Sequence, residues 1–415
     1  MVATRSTSSN KGHHQRQKKR RNQETDIGLV MSQLSDLPEE LLEAIEERII
    51  LYADKVRLRS VCVPWMYSTF PKLPHQKLHQ SPCLLLPYST SNNSVDTACG
   101  LFSPLDKKFY HLDLPELAGQ GKLFRGSSHG WVVTSDDSSV CLLNPLTRAK
   151  LKLPPRSSFP IKEFHYGPGR KFLDKTAAHA RKIILSTSPA NDDYVAVAAY
   201  GRFDTLAYCR KGYTKWVHLD ERNESRSSYV DFIFFRGKLY ALDRGDLLIW
   251  EIGCPQIIEK VRINAPIPES PQPYLVEYSG GLLVVDRIFC LDNSDDPREA
   301  RTCGFKVYKL DASRKSCVEV RDLGGDSLFL GKNSSWSISS GDFPGYKGNR
   351  IYFTDDNAHV FDQAFDPEES RGIKFDMGIY NLDDGLIESL HVPGYKDDAK
   401  NSYWPPPIWV LPKSK

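Results

Sequence analysis

Hydrophobic and polar positions follow two different rhythms along this chain. Between Leu34 and Phe70 the period is helical: Leu37, Leu41, Leu42, Ile45 and Ile49 recur at three- and four-residue steps, with Glu43, Glu46, Glu47 and Arg48 between them. That spacing makes one apolar face and one wet face. Asp36 or Leu37 can cap this helix, Pro38 suits a first turn where its missing N–H costs nothing, and Glu39 and Glu40 sit where the helix dipole favours negative charge. A second helix is expected over Asp54 to Cys62, and Pro64 ends it or starts a short third one carrying Trp65 and Phe70. Three helices over about 40 residues bury too little to stand alone, so their apolar surface is expected to meet a partner. The alternative is a helical hairpin packed on the rest of the chain.

From about Pro82 onward the rhythm changes to short β-rich runs separated by Gly, Pro, Asn and Asp, as in Cys83 to Tyr88, Gly130 to Ser135, Tyr194 to Tyr200, Phe232 to Asp243 and Gly280 to Phe289. An aromatic or β-branched residue followed by x-Leu-Asp recurs at Tyr110, Val217, Tyr240, Tyr308 and Tyr380, and a glycine-led strand recurs at Gly130, Gly237, Gly281 and Gly348. Modules of this kind at irregular spacings of about 40 to 60 residues suit the blades of a β-propeller, with six blades expected. The run Tyr403 to Pro412 reads as an extended, Pro-bounded strand that closes the ring by joining its other end. A pair of β-sandwiches or an irregular barrel would use the same short strands. The domain reading is a tail over 1–31, a helical module over 32–74 and the β domain over 75–415.

Composition narrows the picture. With 415 residues, 40% hydrophobic and 11% aromatic, the chain can fill more than one core. The net charge is only +3, yet Arg5, Lys11, Arg16, Lys18, Lys19, Arg20 and Arg21 all precede residue 22, so the remainder is mildly acidic and nucleic acid is not the expected main ligand. Residues 1–31 hold too few apolar groups to offset ordering entropy, which predicts a disordered tail. Within it Lys18, Lys19, Arg20 and Arg21 form a compact cluster of the kind read by nuclear import receptors, or a solvated arm for RNA or acidic surfaces. Nine scattered cysteines lack CxxC spacing and read as reduced, mostly buried thiols. No apolar leader or membrane-length stretch is present, so the expected location is nucleus and/or cytoplasm.

The segment Leu34 to Phe70, with Leu37-Pro38 opening the helix and Asp54, Arg57, Arg59-Ser60-Val61-Cys62 and Trp65 following, resembles the F-box, departing from it at Pro64 and Met66. That resemblance implies docking on a Skp1-like adaptor, and through it on cullin and RING subunits of a ubiquitin ligase. It assigns adaptor contact to Leu37, Pro38, Leu41, Ile45, Val61, Cys62 and Trp65. A second resemblance covers Ser81 to Pro412. The runs Leu142 to Pro155, Tyr274 to Val285, Phe305 to Asp311, Val320 to Ser339 and Pro344 to Asp356 are similar to plant F-box proteins with a KIB-type C-terminal β-propeller. It implies a non-catalytic adaptor that recruits an unnamed target protein, with a non-ligase nuclear scaffold as the alternative.

The residues offer little chemistry of their own. There is no HExxH, no paired CxxC, no GxSxG elbow, and no phosphate-binding glycine loop, so neither a metal nor another cofactor is expected. The dyads Asp136-Asp137, Asp192-Asp193, Asp355-Asp356 and Asp383-Asp384 lie in turn-rich contexts and read as solvated turn carboxylates, since neighbours on a strand point to opposite faces. A propeller presents its loops to partners, and Trp336, Phe343 and Tyr346 are the aromatic anchors expected there.

Overall fold

A computed structural model describes residues 37–48, the single positions 58, 61 and 65, and most of 81–412. The stretches 90–96, 118–121, 166–170, 174–179, 220–227, 252–256, 263–272, 291–299, 312–315, 356–375 and 393–406 are left out. The basic cluster Lys18–Arg21, Cys62, and most of the second and third expected helices thus lie outside the described residues. The chain divides into two compact units, Met1–His79 and Gln80–Lys415.

In the first unit one helix is described, α1 (Glu39–Arg48). The carbonyl of Pro38 accepts hydrogen bonds from the Leu41 and Leu42 amides at 3.1 and 3.2 Å, so Pro38 itself takes the capping position, one residue earlier in the helix than expected. A three-helix bundle is not seen among the described residues.

The second unit is built from strands. Its sheets comprise β1 (Cys83–Ser89), β2 (Thr97–Ser103) and β3 (Lys108–Leu112), then β4 (Leu123–Ser128), β5 (Trp131–Ser135), β6 (Val140–Leu143) and β7 (Lys150–Leu153). A small hairpin, β8 (Glu163–His165) and β9 (Lys171–Leu173), precedes a third sheet of β10 (Ala180–Leu185), β11 (Val195–Tyr200), β12 (Thr205–Arg210) and β13 (Val217–His218). The fourth holds β14 (Tyr229–Phe235), β15 (Lys238–Asp243), β16 (Asp246–Glu251) and β17 (Ile257–Arg262). The fifth holds β18 (Pro273–Tyr278), β19 (Gly281–Cys290), β20 (Arg301–Asp311) and β21 (Ser316–Val320). The sixth holds β22 (Asp326–Leu330), β23 (Trp336–Ser339), β24 (Arg350–Phe353), β25 (Gly378–Asn381) and β26 (Ile387–Ser389). The last strand, β27 (Ile408–Val410), returns to pair antiparallel with β1, Leu84 opposite Trp409, as the Pro-bounded terminal run predicts.

Each sheet is buried on both faces by its neighbours, which explains runs such as Val195–Tyr200 that are apolar throughout. Alternate residues of a strand point to opposite faces. In β11, Ala196, Ala198 and Tyr200 pack with Trp131, Val133 and Leu142 of the second sheet, while Val195, Val197 and Ala199 pack with Phe232, Leu239 and Trp250 of the fourth. Equivalent clusters join the fourth sheet to the fifth, the fifth to the sixth, the first to the second and the first to the sixth. Among the described residues, six blades with six such junctions, the fifth and sixth joined into one nine-stranded sheet by the Glu277–Trp336 bridge, make a closed β-propeller, and the sandwich and barrel alternatives fall.

Local sequence sets the hairpins between first and second strands. His129-Gly130, Arg236-Gly237 and Ser279-Gly280 all have positive φ at both positions, the requirement of a two-residue turn whose twist matches its strands. The glycine-led signal therefore marks the second strand of the second, fourth and fifth sheets, whereas Gly348 precedes β24, the third strand of the sixth. The x-Leu-Asp repeat does not keep such a register: Asp243 ends β15, a second strand, and Asp311 ends β20, a third strand. Aspartate is suited to strand ends in general, so this repeat marks turns and not a fixed place in the blade.

One cysteine expectation is corrected. Cys290 and Cys303 form a disulfide, with Cα atoms 5.8 Å apart, across the far end of the β19–β20 hairpin. The two residues lie near one another in the ladder, Cys290 opposite Arg301, a closeness that sequence spacing alone does not reveal. Cys83, Cys99, Cys141 and Cys209 are buried free thiols, and burial pushes Cys83, Cys99 and Cys209 up to about 12, which keeps them protonated and unreactive at neutral pH.

Candidate functional site

Two surfaces follow from the sequence reading, and each lies in its own unit. On α1 the apolar stripe is split. Leu42 is buried at 2% exposure, whereas Leu41 and Ile45 stand 52% and 38% exposed and Val61 43%. Pro38 is exposed and Leu37 partly so. Leu41 and Ile45 thus stand in water on the same helix that buries Leu42. Trp65, the seventh expected contact, is instead buried.

In the second unit the inner strands line a channel whose walls are tied sheet to sheet. Ser127 of β4 donates from its hydroxyl to the Trp409 carbonyl of β27. Ser128 donates to the Leu185 carbonyl of β10 at 3.3 Å. Lys182 of β10 pairs with Asp231 of β14 at 2.6 Å, both nearly fully buried, and the other oxygen of Asp231 accepts the Leu275 amide of β18 at 2.8 Å. Glu277 of β18 bridges in parallel to Trp336 of β23. Between β22 and β23 the segment Gly331–Ser335 enters this channel, where the Ser334 amide donates to the Ser127 carbonyl at 2.8 Å. Gly126 must be glycine for the same reason, because an added Cβ would overlap the Ile183 carbonyl oxygen across the channel.

At the end of the channel ringed by the first hairpin turns lies a cavity of about 220 Å³. Ser128 and His129, Leu185 and Ser186, Ile233 and Phe234, Glu277, and Ser334 to Trp336 form its wall. Of the three expected aromatic anchors, only Trp336 lines it. Phe343 and Tyr346 are 7% and 4% exposed within the core between the first and sixth sheets, and the Tyr346 hydroxyl lies 2.9 Å from the Ser81 hydroxyl. Both are packing residues, and Tyr346 is held inward by pairings with residues over 260 positions away that local sequence does not show.

The aspartate dyads behave largely as turn acceptors. Partial burial works against ionisation of Asp136, but the amides and hydroxyls of Ser138 and Ser139 outweigh it and hold the carboxyl at about 2. Asp383 accepts from Asn349 at 2.7 Å and Asp384 from the Leu386 amide at 2.9 Å. Asp355 departs from the solvated reading, being buried and accepting the Asp376 amide at 2.9 Å. Because the folded state lowers the Asp136 pKa, its contribution is present above the usual carboxylate range near pH 4 and fades as pH falls towards 2. Asp136→Asn is therefore expected to lower the melting temperature slightly at pH 7, with the gap to wild type narrowing by pH 3 in calorimetry.

Known proteins place these observations. The KIB1-4 beta-propeller family model matches residues 101–381. F-box protein SKIP23 of Arabidopsis thaliana is 26% identical over 91% of this chain and 95% of its own. A further Arabidopsis thaliana F-box protein, At2g26160, is 26% identical over 77% of this chain and 95% of its own. Among solved structures, AztD of Citrobacter koseri aligns with a TM-score of 0.30 at 13% identity, covering 57% of each chain. The Swd1 β-propeller domain of Myceliophteria thermophila aligns with a TM-score of 0.30 at 12% identity, covering 73% of this chain and 88% of its own. Those two likenesses are too distant to bear on function. The match over more than half of the sequence is decisive: the chain belongs to the KIB1-4 β-propeller family, and over most of its length it is similar to plant F-box proteins.

Proposed function

We propose that this protein is the target-recognition subunit of an SCF-type ubiquitin ligase, its first unit docking a Skp1-like adaptor and its propeller holding a target protein. The observation that carries the reading is the exposure of Leu41, Ile45 and Val61, three of the positions that the F-box resemblance assigns to adaptor contact. The F-box naming of full-length relatives supports the same role. The chain itself supplies no bond-making step in this scheme. It raises the effective concentration of a target beside the ubiquitin-charged partner, as linked binding modules do.

The test is a pull-down of a recombinant Skp1-type adaptor by the full chain and by the Leu37→Ala, Pro38→Ala double variant, at matched circular dichroism. Removing a hydrophobic anchor and the helix-entry proline is expected to weaken binding at least tenfold, about 1.4 kcal/mol. Equal capture by both chains, or capture by neither, would sink the proposal.

A further inference from the structure

The cavity at the channel mouth has a chemical bias that the adaptor role does not by itself supply. Its volume, about 220 Å³, far exceeds the room one water needs and falls below the roughly 300 Å³ at which small-molecule sites begin. That size suits one inserted side chain with its flanking backbone. Glu277 is the one formally charged acid in the wall, and the wall holds neither lysine nor arginine. Glu277 is exposed and makes no ion pair among the described residues. Arg236, on the adjoining turn, is engaged elsewhere: its guanidinium donates to the Gly280 carbonyl at 2.6 Å and lies 5.1 Å from the Phe235 ring.

The remaining wall combines aromatic and aliphatic surface with serine hydroxyls and His129. Phe234 and Trp336 supply ring surface, and Trp336 is held by stacking on Phe329, with centroids 5.8 Å apart. One carboxylate and ring surface favour a cation. A lysine or arginine side chain offers a charged end to Glu277 and an aliphatic stem to the rings.

We infer that this cavity receives a lysine or arginine side chain of the target polypeptide, with Glu277 holding the charge and Phe234 and Trp336 flanking the aliphatic stem. The inference rests on the propeller being the target-binding unit, yet it is tested without the adaptor. The sequence hid it because its wall gathers short pieces from six places along the chain, between Ser127 and Leu411, that meet only on closure.

The full chain is titrated with the tripeptides acetyl-Ala-Lys-Ala-amide, acetyl-Ala-Arg-Ala-amide and acetyl-Ala-norleucine-Ala-amide, binding being read by saturation-transfer NMR. The Lys and Arg peptides are expected to bind at least tenfold more tightly than the norleucine peptide. Glu277→Gln, a change at an exposed position, is expected to erase that preference, and Trp336→Phe to weaken all three peptides by at least threefold while keeping the stack on Phe329. Melting curves matched to wild type confirm folding. No binding of the basic peptides, no preference over norleucine, or a preference that survives Glu277→Gln overturns the inference. Adaptor capture reports separately on α1, so a chain that binds basic peptides but no adaptor would discard the ligase reading and leave the cavity assignment standing.

Discussion

A chain ending at Pro406 is expected to lose the cooperative folding of the whole propeller, even though it lacks only nine residues. β27 contributes three side chains, Ile408, Trp409 and Val410, all at 0% exposure. Ile408 and Val410 pack into the junction between the first and second sheets, and Trp409 into the junction between the first and sixth, with its ring 5.1 Å from Phe329 and 6.1 Å from Tyr352. Truncating a buried aliphatic or tryptophan side chain to alanine costs about 2–5 kcal/mol each. Three together rival the 5–15 kcal/mol that separates folded from unfolded domains. The loss also bares the backbone edge of β1 and removes the acceptor of the Ser127 hydroxyl. Calorimetry of the shortened chain should show no sharp transition, with prompt cleavage at low protease concentration. A transition within about 5 °C of wild type would mean that the ring does not depend on this closure.

The Pro-bounded terminal run and the glycine-led hairpins were readable because their causes are local: a proline ends a strand, and a positive φ asks for glycine in the second turn position. The amphipathic stripe of α1 was readable for the same reason, although the division between buried Leu42 and exposed Leu41 depends on which neighbours are present. Burial in the ring was not readable. Tyr346 lies inside because Ser81 and Pro82, more than 260 residues earlier, close over its hydroxyl. The disulfide hid among single cysteines because its partners meet only once β19 and β20 pair. The channel-mouth cavity was the least legible feature. Trp336 was singled out as an aromatic, but Glu277, Phe234 and Ser335 carry no motif and acquire a shared role only through closure.

A second large effect is expected at Arg287, which ties the fifth sheet to the sixth. The residue is 2% exposed, and its guanidinium donates to Thr302, Tyr274, Thr354 and Asp376. Nε donates to Thr302 at 2.7 Å, one terminal nitrogen to the Tyr274 hydroxyl and the Thr354 carbonyl at 3.1 and 2.9 Å, and the other to the Asp376 carbonyl and carboxylate at 3.0 and 3.1 Å. The rings of Phe353 and Phe289 lie 4.9 and 5.1 Å away. Arg287→Met keeps the volume but strands the Asp376 carboxylate, and removing one partner of a buried pair costs about 3–5 kcal/mol. For a domain of this size that is a fall of about 4–7 °C in the melting temperature. Arg287→Lys retains the charge without the planar fork and should fall between the two. Arg287→Met with Asp376→Asn should recover part of the loss, because no unpaired charge is then left inside, although the bonds from Thr302 to Asp376 are weakened too. If thermal melts put Arg287→Met within about 1 °C of wild type, the fifth and sixth sheets are held by their apolar junction alone.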